Sequence, residues 1–87
     1  METTVAHPRL ARLFRLQWEP AQDAYVLLYP EGMVKLNRSA AEILKRCDGS
    51  RPLPEIVAQL ERDFGATGLA PDVDAFIIDA RRHGWVI

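Results

Sequence analysis

The most chemically versatile side chains in this sequence are two histidines and one cysteine. They are His7 near the amino terminus, Cys47 in the middle of the chain and His83 near its end. A metal site needs several such ligands at short, regular spacings, and a nucleophile needs a base beside it. These three residues form neither pattern. The sequence therefore predicts no metal site, no cofactor and no catalytic residue, and the chain is not expected to be an enzyme.

The composition indicates one small domain covering residues 1–87, in which residues 1–8 form a loose amino-terminal arm. The chain is 48% hydrophobic and 26% charged, as expected of a globular protein with one modest core. It shows no signal peptide and no apolar segment near the ~20 residues that span a bilayer, so no membrane contact is expected. A single cysteine fits a reducing compartment, and the expected location is the cytoplasm.

Three short strands are predicted in the first half of the chain. Apolar and polar residues alternate from Arg12 to Glu19, with Phe14, Leu16 and Trp18 on the apolar side, which is typical of a half-buried strand. The segment from Tyr25 to Tyr29 is apolar throughout, as in a central strand. A Pro30-Glu31-Gly32 turn leads into the third strand, Met33–Leu36, and Gly32 is expected to have a positive φ. Together these strands form an antiparallel meander.

Three helices are predicted to follow the sheet. The first is capped by Asn37 or Ser39 and ends at Gly49. The second begins near Pro52–Pro54 and ends at Gly65, and the third runs from Pro71 to Gly84, before a tail that packs back on the core. The expected core positions are Ala40, Ile43, Leu44, Cys47, Ile56, Val57, Leu60, Phe64, Val73, Phe76, Ile77 and Ala80. The predicted fold class is α+β, a three-stranded antiparallel meander followed by three helices in a winged-helix-like order.

The third strand offers a candidate binding edge. Met33–Leu36 is very short and leads directly into a helix, so it can lie at the edge of the sheet with unpaired backbone groups. Such an edge is a template for an extended peptide, which adds as a further strand. On a helical wheel of the third helix, Ile78 falls away from the core face, near Asp74, Ala75 and Arg82. This stripe would form the second wall of a groove, although one exposed isoleucine is also ordinary on a protein surface.

A winged-helix-like DNA-binding regulator is the alternative interpretation, because such proteins also combine three helices with a small sheet. The third helix would then read the bases with its amino-terminal residues. Asp72 and Asp74 stand at that end and would repel phosphate, and a net charge of −1 gives no general attraction for nucleic acid. The beginning of the chain is basic, with Arg9, Arg12 and Arg15. Three arginines in such a segment are usually exposed to solvent and do not by themselves indicate DNA binding. The sequence therefore favours a peptide-binding module.

Two segments carry a family resemblance, LLYPEGMVKLNRSAAEILKRCDGSRPLPEIVAQL and DVDAFIIDARRHGW. Their most specific elements are Pro30-Glu31-Gly32, Leu36-Asn37, Ala41 with Ile43 or Leu44, Cys47-Asp48-Gly49 and Gly84-Trp85. Together they resemble the PqqD family of pyrroloquinoline quinone biosynthesis, over a match that runs from about Pro8 to the carboxyl terminus. Pro52 departs from the pattern, since members tend to carry a small hydroxyl residue there as a helix cap.

The resemblance implies a small peptide chaperone, of the class called recognition elements for ribosomally made, modified peptides. Such proteins bind the precursor peptide PqqA and deliver it to the radical-SAM enzyme PqqE, which joins a glutamate and a tyrosine side chain. The leader peptide docks between the third strand and the third helix. Carried over to this sequence, the resemblance selects these peptide-binding residues: Met33, Val34, Lys35, Leu36, Asp74, Ala75, Ile78 and Arg82. Short turns and an exposed edge also permit a homodimer formed by strand exchange.

Overall fold

The computed structural model of the chain describes residues 7–87. It has three strands followed by three helices: β1 Arg15–Glu19, β2 Ala24–Tyr29, β3 Gly32–Lys35, α1 Arg38–Lys45, α2 Leu53–Phe64 and α3 Ala70–Arg82. The strands pair antiparallel in the order β1-β2-β3, so the predicted meander and the α+β class are confirmed. Of the predicted loose arm, residues 1–6 lie outside the described residues, while Pro8 is fully buried.

The turn between β2 and β3 differs from the prediction. Tyr29 pairs with Gly32, so the loop consists of Pro30 and Glu31 alone. Gly32 is the first residue of β3, and the prediction that it has a positive φ is wrong. A Cβ atom at this position would lie 3.5 Å from the Tyr29 hydroxyl oxygen, an ordinary contact distance. Neither the backbone conformation nor the available space therefore requires a glycine here.

Helix α1 is capped by Asn37, whose side-chain oxygen accepts a hydrogen bond from a first-turn backbone N–H at 2.8 Å. This decides between the two predicted caps, because Ser39 lies inside the helix. The helix ends at Lys45, well before Gly49. The sequence predicts Cys47 on the buried face of this helix. Cys47 is indeed buried, but it lies in the segment that follows the helix.

Helix α2 follows Pro52, whose ring has no atom that can accept a capping hydrogen bond, and it ends at Gly65 as predicted. Phe64 in its last turn is 42% exposed, so its predicted place in the core is wrong. The ring lies instead beside two cations, with the guanidinium carbons of Arg38 and Arg46 at 5.4 and 6.0 Å from its centroid. Contacts of this kind stabilise an aromatic ring that remains partly open to water.

Helix α3 packs against α2 and buries Val73, Ile77 and Ala80, as the helical wheel predicts. Phe76 packs against the same core from a partly exposed position. One cluster of buried residues forms the core: Leu27, Leu36, Ala40, Ala41, Ile43, Leu44, Cys47, Ile56, Val57, Leu60, Val73, Ile77, Ala80 and Val86. The core therefore lies between one face of the sheet and the three helices.

The chain ends are held together behind this core. Gly84 has a φ of 76°, a left-handed conformation that reverses the chain after α3. Arg9 and Ile87 then exchange two backbone hydrogen bonds of 3.2 and 2.8 Å, and the Leu10 N–H donates to the Cys47 carbonyl at 3.2 Å. The amino-terminal segment therefore lies between the tail and the residues that follow α1.

Candidate peptide-binding site

Strand β3 forms one edge of the sheet, because among residues 7–87 only β2 pairs with it. The Leu36 N–H donates to the Tyr25 carbonyl at 3.0 Å, which fixes the direction of the backbone groups along this strand. Hydrogen-bonded and non-hydrogen-bonded pairs alternate in an antiparallel ladder, so Val34 also bonds to β2. The N–H and C=O groups of Met33 and Lys35 consequently point away from β2 and form a free edge.

The side chains of this edge divide between the two faces of the sheet. Val34 packs against the core from a half-buried position, and Leu36 just after the strand is buried. Met33, 47% exposed, and Lys35 lie on the opposite face in water. An added strand would therefore have one set of side chains beside apolar neighbours and the alternate set beside a thioether and a cation.

The predicted residues of α3, called here the α3 stripe, are Asp74, Ala75, Ile78 and Arg82. All four are exposed. Ile78 is 54% exposed whereas its neighbour Ile77 is 1% exposed, so the predicted placement of Ile78 off the core face is confirmed. This placement makes the stripe available to a ligand but does not identify one.

The structure places part of the α3 stripe beside α2. Asp74 and Ile78 line a groove of about 530 Å³ between the two helices, and residues 33–36 do not contribute to it. The remaining lining residues are Leu53, Pro54, Val57, Ala70, Ile77 and Arg81. The β3 edge and this groove are therefore separate surfaces, and the predicted joint role of the two sets of residues in peptide binding stays a prediction.

A second cavity lies where the chain leaves the sheet, and it was not predicted from the sequence. It has a volume of about 380 Å³ and is lined by Arg38, Ser39, Glu42, Ile43, Leu60, Phe64, Ala66, Leu69, Asp72 and Val73. It connects the beginning of α1, directly after β3, with the end of α2 and the beginning of α3. The available signal was the pair of apolar residues, Phe64 and Leu69, on either side of the connector 65–68.

Glu42 lies on the rim of this cavity and is held by two cations. Lys45 Nζ donates to its Oε2 at 3.1 Å, and Arg46 Nη1 donates to its Oε1 at 3.0 Å. Burial on its own raises the pKa of Glu42, but the hydrogen bonds from Arg46 and Lys45 outweigh it, so the pKa lies below its ordinary value. Glu42 is therefore ionised and paired at neutral pH, whereas Arg38 on the same rim has no carboxylate partner among residues 7–87.

Metal ligands and thiols can be assessed in the part of the chain that the structure describes. Within residues 7–87, no three side chains of His, Cys, Asp or Glu lie close enough together to hold a metal ion. The Cys47 thiol donates to the Ile43 carbonyl at 3.3 Å, and burial raises the pKa of this thiol to about 11, so it is protonated at neutral pH.

In the same part of the chain, no helix has the length and apolar character needed to cross a membrane.

Comparison with known sequences gives a consistent family. The family described as "Coenzyme PQQ synthesis protein D (PqqD)" matches residues 24–86. The chain is similar to a protein of Azotobacter vinelandii named PqqA binding protein, with 53% identity over 87 residues that cover 98% of this chain and 95% of the relative. A protein of the same name from Pseudomonas aeruginosa is 54% identical over 80 residues, covering 91% and 87% of the two chains.

A solved structure resembles the fold as well. It is the solution NMR structure of the PqqD truncation of Methylobacterium extorquens PqqCD, described as a functional, stand-alone recognition element for ribosomally synthesised and modified peptides. The TM-score is 0.70 at 25% sequence identity, and the match covers 92% of this chain and 87% of the other. Sequence and structure agree, and the chain belongs to the PqqD family of coenzyme PQQ synthesis proteins.

Proposed function

We propose that this chain is a non-catalytic chaperone that binds the precursor peptide PqqA and presents it to the radical-SAM enzyme PqqE in pyrroloquinoline quinone biosynthesis. The observation that carries the proposal is the free edge of β3, where Met33 and Lys35 offer unpaired backbone groups. Relatives that share more than half of their aligned residues with this chain are named PqqA binding protein. The similar solved structure is described as a recognition element.

The peptide would bind as a fourth strand. Its backbone would exchange hydrogen bonds with Met33 and Lys35, and its side chains would alternate between the two faces of the sheet. On the core side they would meet Val34 and Leu36, and on the other side Met33 and Lys35. Backbone pairing would supply affinity for any extended segment, while these side-chain contacts would select the sequence.

The α3 stripe enters the proposal as a second contact. A bound peptide longer than β3 has to leave the sheet edge, and Ile78 offers an exposed apolar centre with Asp74 and Arg82 as a charged rim. Ala75 would allow a close approach beside them. The groove beside α2 is separate from the β3 edge. The contact with the α3 stripe and the contact with the β3 edge are therefore tested by different substitutions.

Catalysis would be left entirely to the enzyme. Holding a flexible precursor beside PqqE replaces a weak bimolecular encounter with a high effective concentration of substrate. Such a role needs neither a metal nor a nucleophile in the chaperone. We propose that this takes place in the cytoplasm, because the free thiol of Cys47 fits a reducing compartment.

The test is isothermal titration of the chain with synthetic PqqA, using two substitutions at one residue. Lys35→Pro removes an N–H that points away from β2, so it leaves the sheet ladder intact and blocks an incoming strand. Lys35→Ala removes the charge but keeps the N–H. We expect the affinity to fall at least about tenfold in Lys35→Pro, the scale of a lost hydrogen bond plus a steric clash, and far less in Lys35→Ala.

Thermal melts of both variants, followed by circular dichroism, serve as the control for folding. Equal affinities in two folded variants would show that the peptide does not use this edge. A parent protein that does not bind PqqA would overturn the function itself. A second copy of the chain would compete for the same edge, as in the predicted strand-exchanged homodimer, so the oligomeric state is measured at the titration concentrations.

The alternative, a winged-helix-like DNA-binding regulator, is disfavoured by the charges on α3. Asp72 and Asp74 are both exposed at the end of the helix that would face the bases. Duplex DNA added in the same titration is therefore expected to give no heat of binding. An affinity for DNA that exceeds the affinity for PqqA would favour the DNA-binding function over the peptide-binding one.

A further inference from the structure

We propose that the outer edge of β1 is a second docking surface, which takes an extended acidic and apolar segment of a partner protein. This inference rests on the proposed function, in which the chain holds a peptide and an enzyme at the same time. Two ligands need two surfaces that do not overlap. The sheet has two edges, and β1 lies at the opposite edge from β3.

The backbone of β1 is open in the same way as that of β3. Leu27 uses its backbone groups to pair with β3, so the neighbouring residues Val26 and Leu28 direct theirs toward β1. Leu16 and Trp18 are consequently the β1 residues whose N–H and C=O groups point outward. No other segment of residues 7–87 pairs with this edge.

Two exposed apolar side chains accompany this edge, one just before β1 and one within it. Leu13, 70% exposed, lies in a tight turn before β1 that is closed by a Phe14 N–H to Ala11 carbonyl hydrogen bond of 3.0 Å. Trp18, 47% exposed, stands edge-on to the Tyr25 ring with 5.2 Å between the centroids, although the alternation pattern places it on the half-buried side of the strand. The strand β1 itself has five residues and is about 16 Å long. A partly exposed, well-supported tryptophan is the kind of residue that dominates protein interfaces.

Charge identifies the chemistry of the partner. Arg12 and Arg15 are exposed near the Leu13 end, and neither has a carboxylate partner among the residues that the structure describes. Glu19 lies at the other end of β1. A partner segment that is acidic where it passes the two arginines and apolar where it meets Trp18 would fit this distribution, and it would bind in one direction only.

The experiment measures binding of immobilised PqqE to the chain already saturated with PqqA. The test variants are the double substitution Arg12→Glu, Arg15→Glu and the single substitution Leu13→Asp. Arg62→Glu is the matched control, because Arg62 is an exposed arginine on α2, outside both sheet edges. We expect the double variant to bind PqqE about tenfold more weakly, with a larger effect at low salt, while its PqqA affinity stays within about twofold of the parent.

The possible outcomes separate the two proposals. Weakened PqqE binding in the test variants alone, with PqqA affinity retained, supports docking on β1. Unchanged PqqE binding in folded test variants that still bind PqqA overturns the β1 assignment and leaves the peptide-binding function standing. A parent chain that does not bind PqqA at all overturns the proposed function. If the arginine substitutions instead abolish an affinity for duplex DNA, the surface is a nucleic-acid site and the proposal is wrong.

Discussion

Arg46 joins α1 to α2 through Asp63, since its Nη2 donates to Asp63 Oδ2 at 2.9 Å. The other nitrogen, Nη1, donates to the side chain and to the carbonyl of Glu42, at 3.0 and 2.8 Å. Only 15% of the Arg46 side chain is exposed, and the Phe64 ring lies beside it. One guanidinium therefore ties the end of the first helix to the end of the second.

Arg46→Met should lower the free energy of unfolding by about 1–3 kcal/mol, because methionine keeps most of the apolar stem and loses every charge-assisted hydrogen bond. Urea unfolding followed by tryptophan fluorescence measures this difference. Asp63→Asn is the control. Asp63 is 47% exposed, so that substitution should cost less than about 1 kcal/mol. An Arg46→Met variant as stable as the parent would show that the two helices are held by apolar packing alone.

Glu42 should make the domain sensitive to acid. Its pKa is lower in the folded state than its ordinary value of 4.5, so its stabilising contribution is complete above that value and is lost as the pH falls through the folded-state pKa. Glu42→Gln should therefore lose stability less steeply than the parent below about pH 5. Urea unfolding at a series of pH values tests this. The pKa of Asp48 is also lowered, by hydrogen bonds from Ser50. Asp48 therefore adds to the acid sensitivity of the parent and of Glu42→Gln alike and does not affect the comparison. Identical slopes would contradict the prediction.

Val86 should be the residue through which the tail stabilises the fold. It is 2% exposed, whereas Ile87 is 55% exposed. Val86→Ala removes buried methyl groups and should cost about 1–3 kcal/mol, while Ile87→Ala should change stability by no more than about 0.5 kcal/mol. Thermal melts of the two variants make the comparison. A Val86→Ala variant as stable as the parent would mean that the tail acts through its backbone hydrogen bonds alone.

Ile78→Asp tests the α3 stripe. Because Ile78 is exposed, folding should change by no more than about 0.5 kcal/mol, but PqqA affinity should fall markedly as a charge replaces an apolar contact next to Asp74. Arg82→Glu should weaken binding less, and more visibly at low salt, as expected of a rim charge. Ile77→Asp is the matched control and should unfold the protein. A folded Ile78→Asp variant that binds PqqA like the parent would remove the stripe from the site.

Most of the fold could be predicted from local patterns. Alternation and apolar runs give the strands, and Asn37, Gly65 and Pro71 mark helix ends through simple backbone chemistry. The predictions fail where contacts between distant parts of the chain determine whether a side chain is buried. Phe64 has the spacing of a core residue, but it stands in the last turn of α2, where two guanidinium groups cover it only in part.

The candidate site is less accessible from the sequence. The position of the β3 edge follows from the brevity of Met33–Leu36, but which residues point their backbone groups outward depends on the register with β2. Likewise, a helical wheel shows that Ile78 leaves the core face, but it does not show which element stands beside that face. The neighbouring element is α2, because α3 packs against it. This packing depends on the whole core and cannot be predicted from one helix.

Two backbone hydrogen bonds join Arg9 to Ile87, and all six elements of secondary structure lie between these two residues in the sequence. In polymer terms, this short ladder closes a loop that contains almost the whole domain, and the entropy lost on closure is offset only once the core has assembled. The ladder is therefore expected to form late in folding. Because Arg9 lies beside Ile87, a linker that joins the two ends, combined with new termini opened in an exposed loop, is expected to give a circular permutant that keeps this fold.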